Sequence, residues 1–336
     1  MDAVSEIFRE MFFSPRIWKK AVLSLGLLLL VAAILFNLYL LFLFSAPQKS
    51  APVEEFTVPR GASVAEVSQL LWRNGIIRSP WAFAVALGGK TIRAGGYYLS
   101  KAMNAWEVAA TLAGDPFFLW VVVPEGLRKE EIADIFAEKL GWSEEERRAF
   151  LSAPEGEEGI LNDGMYFPDT YLVPKDVKGK EMAQRMFRHF NEVFSPLAKE
   201  FLQKNIKWDT ALTLASLVQR EASRRDMALV AGILWNRLLR GMRLEVDATV
   251  QYARGKTKKG WWAPITKEDK QIDSPYNTYL HYGLPPAPIA NPGRRAIEAV
   301  LRPAATKCLY YLHRDSRIYC AETYEEHLRN IRRVLR

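Results

Sequence analysis

Thr57-Val58-Pro59-Arg60-Gly61 is echoed, 65 residues further on, by Val122-Val123-Pro124-Glu125-Gly126. Behind the two turns, Glu66-Val67 is matched by Glu131-Ile132, and Leu70-Leu71 by Ile135-Phe136. Each copy reads as a short strand, a Pro-x-Gly turn and an amphipathic helix with apolar residues at i, i+3 and i+4. In the first copy Ser63 and Glu66 have capping-box spacing, and Ser79-Pro80 opens a second helix. Between the copies, Gly95–Ser100 reads as a strand, and Asn104 with Glu107 caps a further helix. Short strands mixed with short helices make the fold class α+β.

On the N-terminal side of the repeats, Ala21–Phe44 is a run of 24 residues without a charge. As a helix rising ~1.5 Å per residue it would extend about 36 Å, enough to cross the roughly 30 Å hydrocarbon core. A cleaved signal peptide carries a shorter apolar region, of about 7–15 residues, and a small-x-small cleavage site. No clean site of that kind follows here. Arg9, Arg16, Lys19 and Lys20 precede the span, whereas Lys49 and Arg60 are the only basic residues among the first sixteen after it. The positive-inside rule then predicts residues 1–20 in the cytoplasm, residues 21–44 as a transmembrane helix, and everything after Phe44 outside. Residues 45–53, with Pro47 and Pro52, read as a linker. That placement disfavours ATP-dependent chemistry. Gly255-Lys256-Thr257 is no phosphate loop, since Val250 stands where a glycine is needed and no strand precedes it. Small strand–helix–helix units in this position resemble LysM modules, which bind peptidoglycan glycan. Residues 54–159 are thus expected to form two LysM-like repeats, serving either as glycan binders or as a packing scaffold.

Composition narrows the function classes. With 336 residues the chain has room for about two domains. Two cysteines and four scattered histidines predict neither a disulfide scaffold nor a metal centre, and no cofactor is expected. The net charge of +8 is unevenly spread, with acidic residues dominating Val121–Lys175, and does not by itself argue for nucleic acid.

From residue 160 to 336 the texture changes, and a second, α+β domain is expected. Gly164-Met165-Tyr166-Phe167-Pro168-Asp169-Thr170-Tyr171 concentrates aromatic rings around an aspartate, a combination suited to stacking on sugars. The same residues also suit a core strand ending in a turn. Lys180–Phe201 has helical period. Asp209 is read as the N-cap of the next helix, where Ala211, Leu214, Leu217 and Val218 mark one face. Glu221 falls on that stripe, seven residues after Leu214 and four after Leu217. A carboxyl on a buried face is costly to ionise and suits proton donation. The alternative is a glutamate at a helix end, paired with Arg225 four residues on. A second amphipathic helix runs from Met227 to Leu238 and ends at Gly241, with Asn236 and Arg237 near its seam. Then come Glu245, Asp247, Thr249 and Tyr252, followed by Asp273-Ser274-Pro275-Tyr276-Asn277-Thr278-Tyr279. Last is the proline-rich loop Gly283–Ile289, leading to Asn291-Pro292-Gly293.

Taken together, Val218–Ser223, Asn236-Arg237-Leu238, Gly241–Val250, Ser274–Tyr279, Gly283-Leu284-Pro285-Pro286 and Tyr166–Tyr171 resemble the signatures of the endolytic murein transglycosylases, the YceG-like family. The resemblance implies a membrane-anchored enzyme that cleaves the bond between N-acetylmuramic acid and N-acetylglucosamine without water, leaving 1,6-anhydro ends. By resemblance Glu221 is the catalytic residue, acting first as acid and then as base. The expected glycan contacts are Tyr166, Asp169, Tyr171, Asn236, Arg237, Glu245, Asp247, Thr249, Tyr276, Asn277 and Tyr279. Glu245 stands where relatives usually carry Gln, Ala248 where they carry Pro, and Asp163 where a Glu precedes the glycine. Expected partners are peptidoglycan glycan strands, the membrane and cell-wall synthases (penicillin-binding proteins), at the bacterial inner membrane with the catalytic domain periplasmic. A catalytically silent peptidoglycan-binding scaffold and a water-using muramidase are the competing readings. Cys308 and Cys320 flank a predicted hairpin; a register centred on Arg314 sets them opposite each other for a disulfide, and a one-residue slip separates them as thiols.

Overall fold

The computed structural model describes residues 15–155, 159–315 and 317–334. The first helix, α1 (Pro15–Phe44), contains an apolar stretch, Trp18–Phe44, long enough to cross a membrane. Within its charge-free run, Ala21–Phe44, the Asn37 amide is satisfied internally, donating to the Ala33 carbonyl at 2.9 Å. Residues 1–14 of the predicted cytoplasmic segment, with Arg9, lie outside the described residues.

The chain divides into two compact units, Met1–Leu119 and Trp120–Arg336. In the first, β1 (Val53–Val58), α2 (Val64–Arg73), α3 (Pro80–Leu87) and β2 (Gly95–Ser100) form a strand–helix–helix–strand motif, followed by α4 (Ala105–Ala113). β1 and β2 pair antiparallel, with Val53 opposite Ser100 and Val58 opposite Gly95. Both predicted capping boxes are present. The Ser63 N–H donates to the Glu66 carboxylate at 2.7 Å, and the Asn104 N–H to Glu107 at 2.8 Å. Phe56, Val67, Leu71, Phe83, Leu99 and Leu112 close the core. Residues 45–52 are not a free linker. Gln48 donates its N–H to the Lys101 carbonyl at 3.0 Å, and Ser100 Oγ donates to the Ala51 carbonyl at 2.9 Å.

β3 (Phe118–Val122) leads into the second unit, where α5 (Lys129–Leu140) and α6 (Glu144–Leu151) follow. Next come the two-residue strands β4 (Pro154–Glu155) and β5 (Gly159–Ile160), then β6 (Thr170–Pro174), which neighbours β3. The sequence reading divides the chain at residues 159 and 160, but the structural division falls 40 residues earlier. The reason is packing: Ile132, Phe136 and Phe150 share one core with Met182, Leu214 and Leu217. The second repeat therefore belongs to the larger unit.

That core is completed by α7 (Gly179–Gln203), α8 (Trp208–Glu221), α9 (Met227–Leu239) and α11 (Arg294–Leu301), with the short α10 (Asp247–Arg254) between the last two. α8 starts earlier than predicted. Lys207 holds the N-cap position, and Asp209 lies inside the first turn, accepting the Thr210 N–H at 2.6 Å. The chain ends in a hairpin, β7 (Tyr310–Arg314) and β8 (Arg317–Ala321), and a last helix, α12 (Tyr324–Val334). Cys308 and Cys320 are bridged, with Cα atoms 5.8 Å apart. The register differs from the predicted one: Cys320 faces Tyr311 across the ladder, and Cys308 lies just before the first paired residue. A disulfide needs only close Cα atoms and suitable Cβ directions, which the strand entrance provides.

Candidate active site

Glu221 is the last residue of α8, below the apolar stripe of Leu214, Leu217 and Val218 that anchors the helix in the core. Its carboxyl is enclosed, although part of the residue's surface stays open. Tyr311, from β7, donates its hydroxyl to Glu221 Oε2 at 2.9 Å. Loss of hydration pushes the Glu221 carboxyl above the usual range, and the nearby Asp247 carboxylate adds to the effect. The Tyr311 hydroxyl, the Ala248 N–H and the Arg220 guanidinium pull the other way. Burial is the largest influence, so the net direction is upward. Arg225, the alternative partner, is not among the groups acting on the carboxyl.

Asp247 opens α10, where a carboxylate complements the unpaired N–H groups of a helix start. It accepts the Tyr279 hydroxyl at 2.5 Å. Burial first, and this hydrogen bond second, push the Tyr279 phenol upward, so it stays a donor. Arg237 lies buried in α9 and donates to the carbonyls of Leu309 at 2.6 Å and Leu244 at 2.8 Å, as well as to Glu245 Oε2 at 3.1 Å. One guanidinium thus ties α9 both to the Glu245 loop and to the segment leading into β7. Glu245 has φ +52°, a left-handed conformation uncommon for a glutamate, held by its N–H on the Thr278 carbonyl at 3.1 Å.

Of the sequence-predicted residues, then, Glu221, Arg237, Glu245, Asp247 and Tyr279 lie within electrostatic reach of one another or of Tyr311, while hydrogen bonds join them only as the pairs Tyr279–Asp247 and Arg237–Glu245. Others are spent on scaffolding. Asn236 donates to the Thr306 and Cys308 carbonyls, and Asn277 to those of Lys270 and Ile272. Thr249 is buried, sharing a 2.9 Å hydroxyl contact with Thr278. Tyr166 and Tyr171 are buried rather than open for stacking, their hydroxyls donating to the carbonyls of Phe150 at 3.3 Å and Phe167 at 2.6 Å. Rings that complete the core of the larger unit cannot also present a face to a sugar. Asp169 is at the surface, 2.8 Å from His189 Nε2. Tyr276 packs its ring on Tyr252, with centroids 4.7 Å apart.

Sequence reasoning missed Tyr311, which lies 90 residues after its partner in a hairpin with no motif of its own. It also missed how Asp163 is used. That carboxyl is buried and accepts the Lys129 N–H at 2.7 Å, the Tyr252 hydroxyl at 3.0 Å and the Asn291 amide at 3.2 Å. Burial, reinforced by Glu130, pushes it up to about 7. The adjoining Gly164 has φ +95°, and a Cβ there would meet Pro288 at 2.8 Å, so the close approach of the proline-rich loop requires glycine. Around Tyr252, the Arg128 guanidinium lies between the rings of Tyr252 and Trp261, and Arg220 lies 3.7 Å over Trp262. No group of three His, Cys, Asp or Glu able to hold a metal occurs among the described residues. Chemically, the site offers one enclosed acid with an exit to solvent, a second carboxylate beside it and two phenol donors.

The YceG-like family matches residues 56–333 of the chain. The endolytic murein transglycosylase of Bacillus subtilis (strain 168) is 30% identical over 297 residues, covering 80% of this chain and 81% of that protein. That of Streptococcus pneumoniae serotype 2 (strain D39) is 27% identical over 313 residues, 82% of this chain but 57% of the longer protein. The 2.6 Å crystal structure of a yceG-like protein from Listeria monocytogenes superposes with a TM-score of 0.59 at 28% identity, over 82% of this chain and 98% of that one. A match that takes in both repeats, the Glu221 helix and the closing hairpin leaves one conclusion: the chain belongs to the YceG-like family.

Proposed function

We propose that this protein is a single-pass, membrane-anchored endolytic transglycosylase of peptidoglycan, with Glu221 as its acid–base residue. The observation that carries the reading is the Glu221 carboxyl, enclosed so that lost hydration disfavours its charged form, fixed through one oxygen by Tyr311, and in a residue partly open to solvent. In this role it protonates the leaving oxygen between N-acetylmuramic acid and N-acetylglucosamine. As a carboxylate it then takes the proton from the muramic acid C6 hydroxyl, which attacks the anomeric carbon and closes a 1,6-anhydro ring. An internal nucleophile removes the need for the activated water, and hence the second catalytic carboxylate, of most glycosidases. Asp247 and Tyr279 are assigned to the developing positive charge and to the sugar hydroxyls, with Glu245, Arg237 and Tyr276 shaping the cleft.

The anchor is α1, with residues 1–20 cytoplasmic and the rest outside, an orientation supported by the basic flank. The strand–helix–helix–strand order of residues 53–100 supports a LysM-like, glycan-binding role for the first repeat. Partnership with cell-wall synthases fits an enzyme that cuts nascent strands. Mass spectrometry of the fragments released from isolated peptidoglycan tests the reaction: anhydro ends are expected. A second reading, a water-using muramidase, is favoured by the presence of Asp247 beside Glu221, and reducing ends in that digest would establish it instead. Release of no fragments at all would leave a binding scaffold.

A further inference from the structure

At the point where α1 ends, its last ring is built into the first unit. Phe44 stacks on Trp106, with centroids 5.4 Å apart and planes 15° from parallel, and meets Trp81 edge-on at 5.9 Å. Trp81 is the second residue of α3 and Trp106 the second of α4, so two helices begin beside the end of α1. Both indoles are 55% exposed. The junction has no slack. Eight free residues, 45–52, would reach roughly 28 Å when extended. Instead, Arg78 lies 4.3 Å over the Phe42 ring and donates to the carbonyls of Ala46 and Pro47, each at 3.0 Å. The Gln48 and Ala51 hydrogen bonds pin the remainder.

We infer that the Trp81–Trp106 face of the first unit is seated in the headgroup region of the lipid bilayer, holding that unit against the membrane rather than on a flexible tether. The inference rests on α1 being the membrane anchor. If α1 spans, Phe44 lies at the edge of the hydrocarbon, and rings in contact with it lie in the headgroup layer. Indoles suit that layer, having a large apolar face with one N–H donor to satisfy. Lys49 and Lys101 belong to the same segments, and their charge suits lipid phosphates. Isolated exposed aromatics need no explanation, but two indoles joined to the end of an apolar helix continue its surface.

The native cysteines are bonded to each other, so an introduced cysteine is the one thiol open to labelling in the full-length chain. Leu30→Cys, Trp81→Cys and Trp106→Cys are each labelled with an environment-sensitive fluorophore and reconstituted in phosphatidylcholine/phosphatidylglycerol vesicles. The vesicles carry a nitroxide either near the headgroups or deep in the acyl chains. At position 30 the deep nitroxide should quench more strongly, reporting the anchor alone. At 81 and 106 the emission should shift to the blue and the shallow nitroxide should quench more strongly. A quenched label at 30 with water-like, unquenched labels at 81 and 106 overturns the docking and leaves the anchor standing. An unquenched label at 30 removes the anchor, and the docking with it. Labels at 81 and 106 that respond to soluble glycan fragments but to neither nitroxide make this a sugar-binding face and also overturn the proposal. As a check without labels, Trp81→Phe/Trp106→Phe should lose part of the shallow-nitroxide quenching of intrinsic fluorescence; unchanged quenching counts against it.

Discussion

In the proposed reaction Glu221 gives up a proton at one step and takes one back at the next, so its burial and its Tyr311 contact would both bear on rate. Glu221→Gln keeps the size of the side chain but can do neither transfer. Release of anhydro fragments should fall by more than the ~10²–10⁴-fold typical of a single acid–base role, while the thermal midpoint hardly moves. Glu245→Gln still offers Arg237 an acceptor and should keep most activity; if it is inactive while Glu221→Gln cleaves, the acid has been misassigned. Tyr311→Phe removes a hydrogen bond that favours the Glu221 carboxylate. The carboxyl should then hold its proton to higher pH, moving the alkaline limb of the pH–rate profile upward, and an unmoved or lowered limb counts against the assignment. Asp163 provides a stability test. The unfolded carboxyl ionises near 3.8 and the folded one at about 7, so stability should decline as pH rises through that window. The decline is on the order of 4 kcal/mol, and Asp163→Asn should lack that slope in denaturant titrations at pH 4 to 8. Helical spacing sets Glu221 on an apolar stripe but leaves open a helix-end glutamate paired with Arg225, and only the resemblance to the family singles it out. Tyr311 and the Asp163 network were not legible, because chain-distant contacts leave no periodic trace.

At the scale of elements, the closing hairpin matters most, since it delivers Tyr311 to the end of α8. Its disulfide predicts that thiol labelling of the denatured, non-reduced protein finds no reactive cysteine. Cys308→Ser should cost about 3 kcal/mol, as expected for opening a short loop, read as a lower urea midpoint. It should also lower activity through a less ordered Tyr311. The sequence leaves the bridge and two free thiols both open, and it ties the bridge to a register centred on Arg314 that the hairpin does not adopt. Either register keeps the hairpin, and the choice is made where Leu309 donates its N–H to the Ala321 carbonyl at 2.8 Å. The start of α8 teaches the same lesson. Asp209 has the chemistry of a cap, yet the helix begins before it.

For the whole molecule, orientation is the broadest expectation: a reporter active only in the cytoplasm, fused after Arg336, should be silent, and activity would reverse the topology. What the sequence by itself determined is what local physics controls. The apolar length of α1, the capping boxes at Ser63 and Asn104 and the helical stripe on which Glu221 falls each depend on neighbours a few residues away. Only the tertiary structure decided which core each element joins. It drew the second repeat into the larger unit through Phe136 and Phe150. It also committed Tyr166, Tyr171, Asn236 and Asn277 to internal contacts instead of the cleft. The physical reason is that an aromatic ring or a side-chain amide serves core, scaffold or sugar equally well by its chemistry. Which of them it serves is settled by what covers it once distant segments pack.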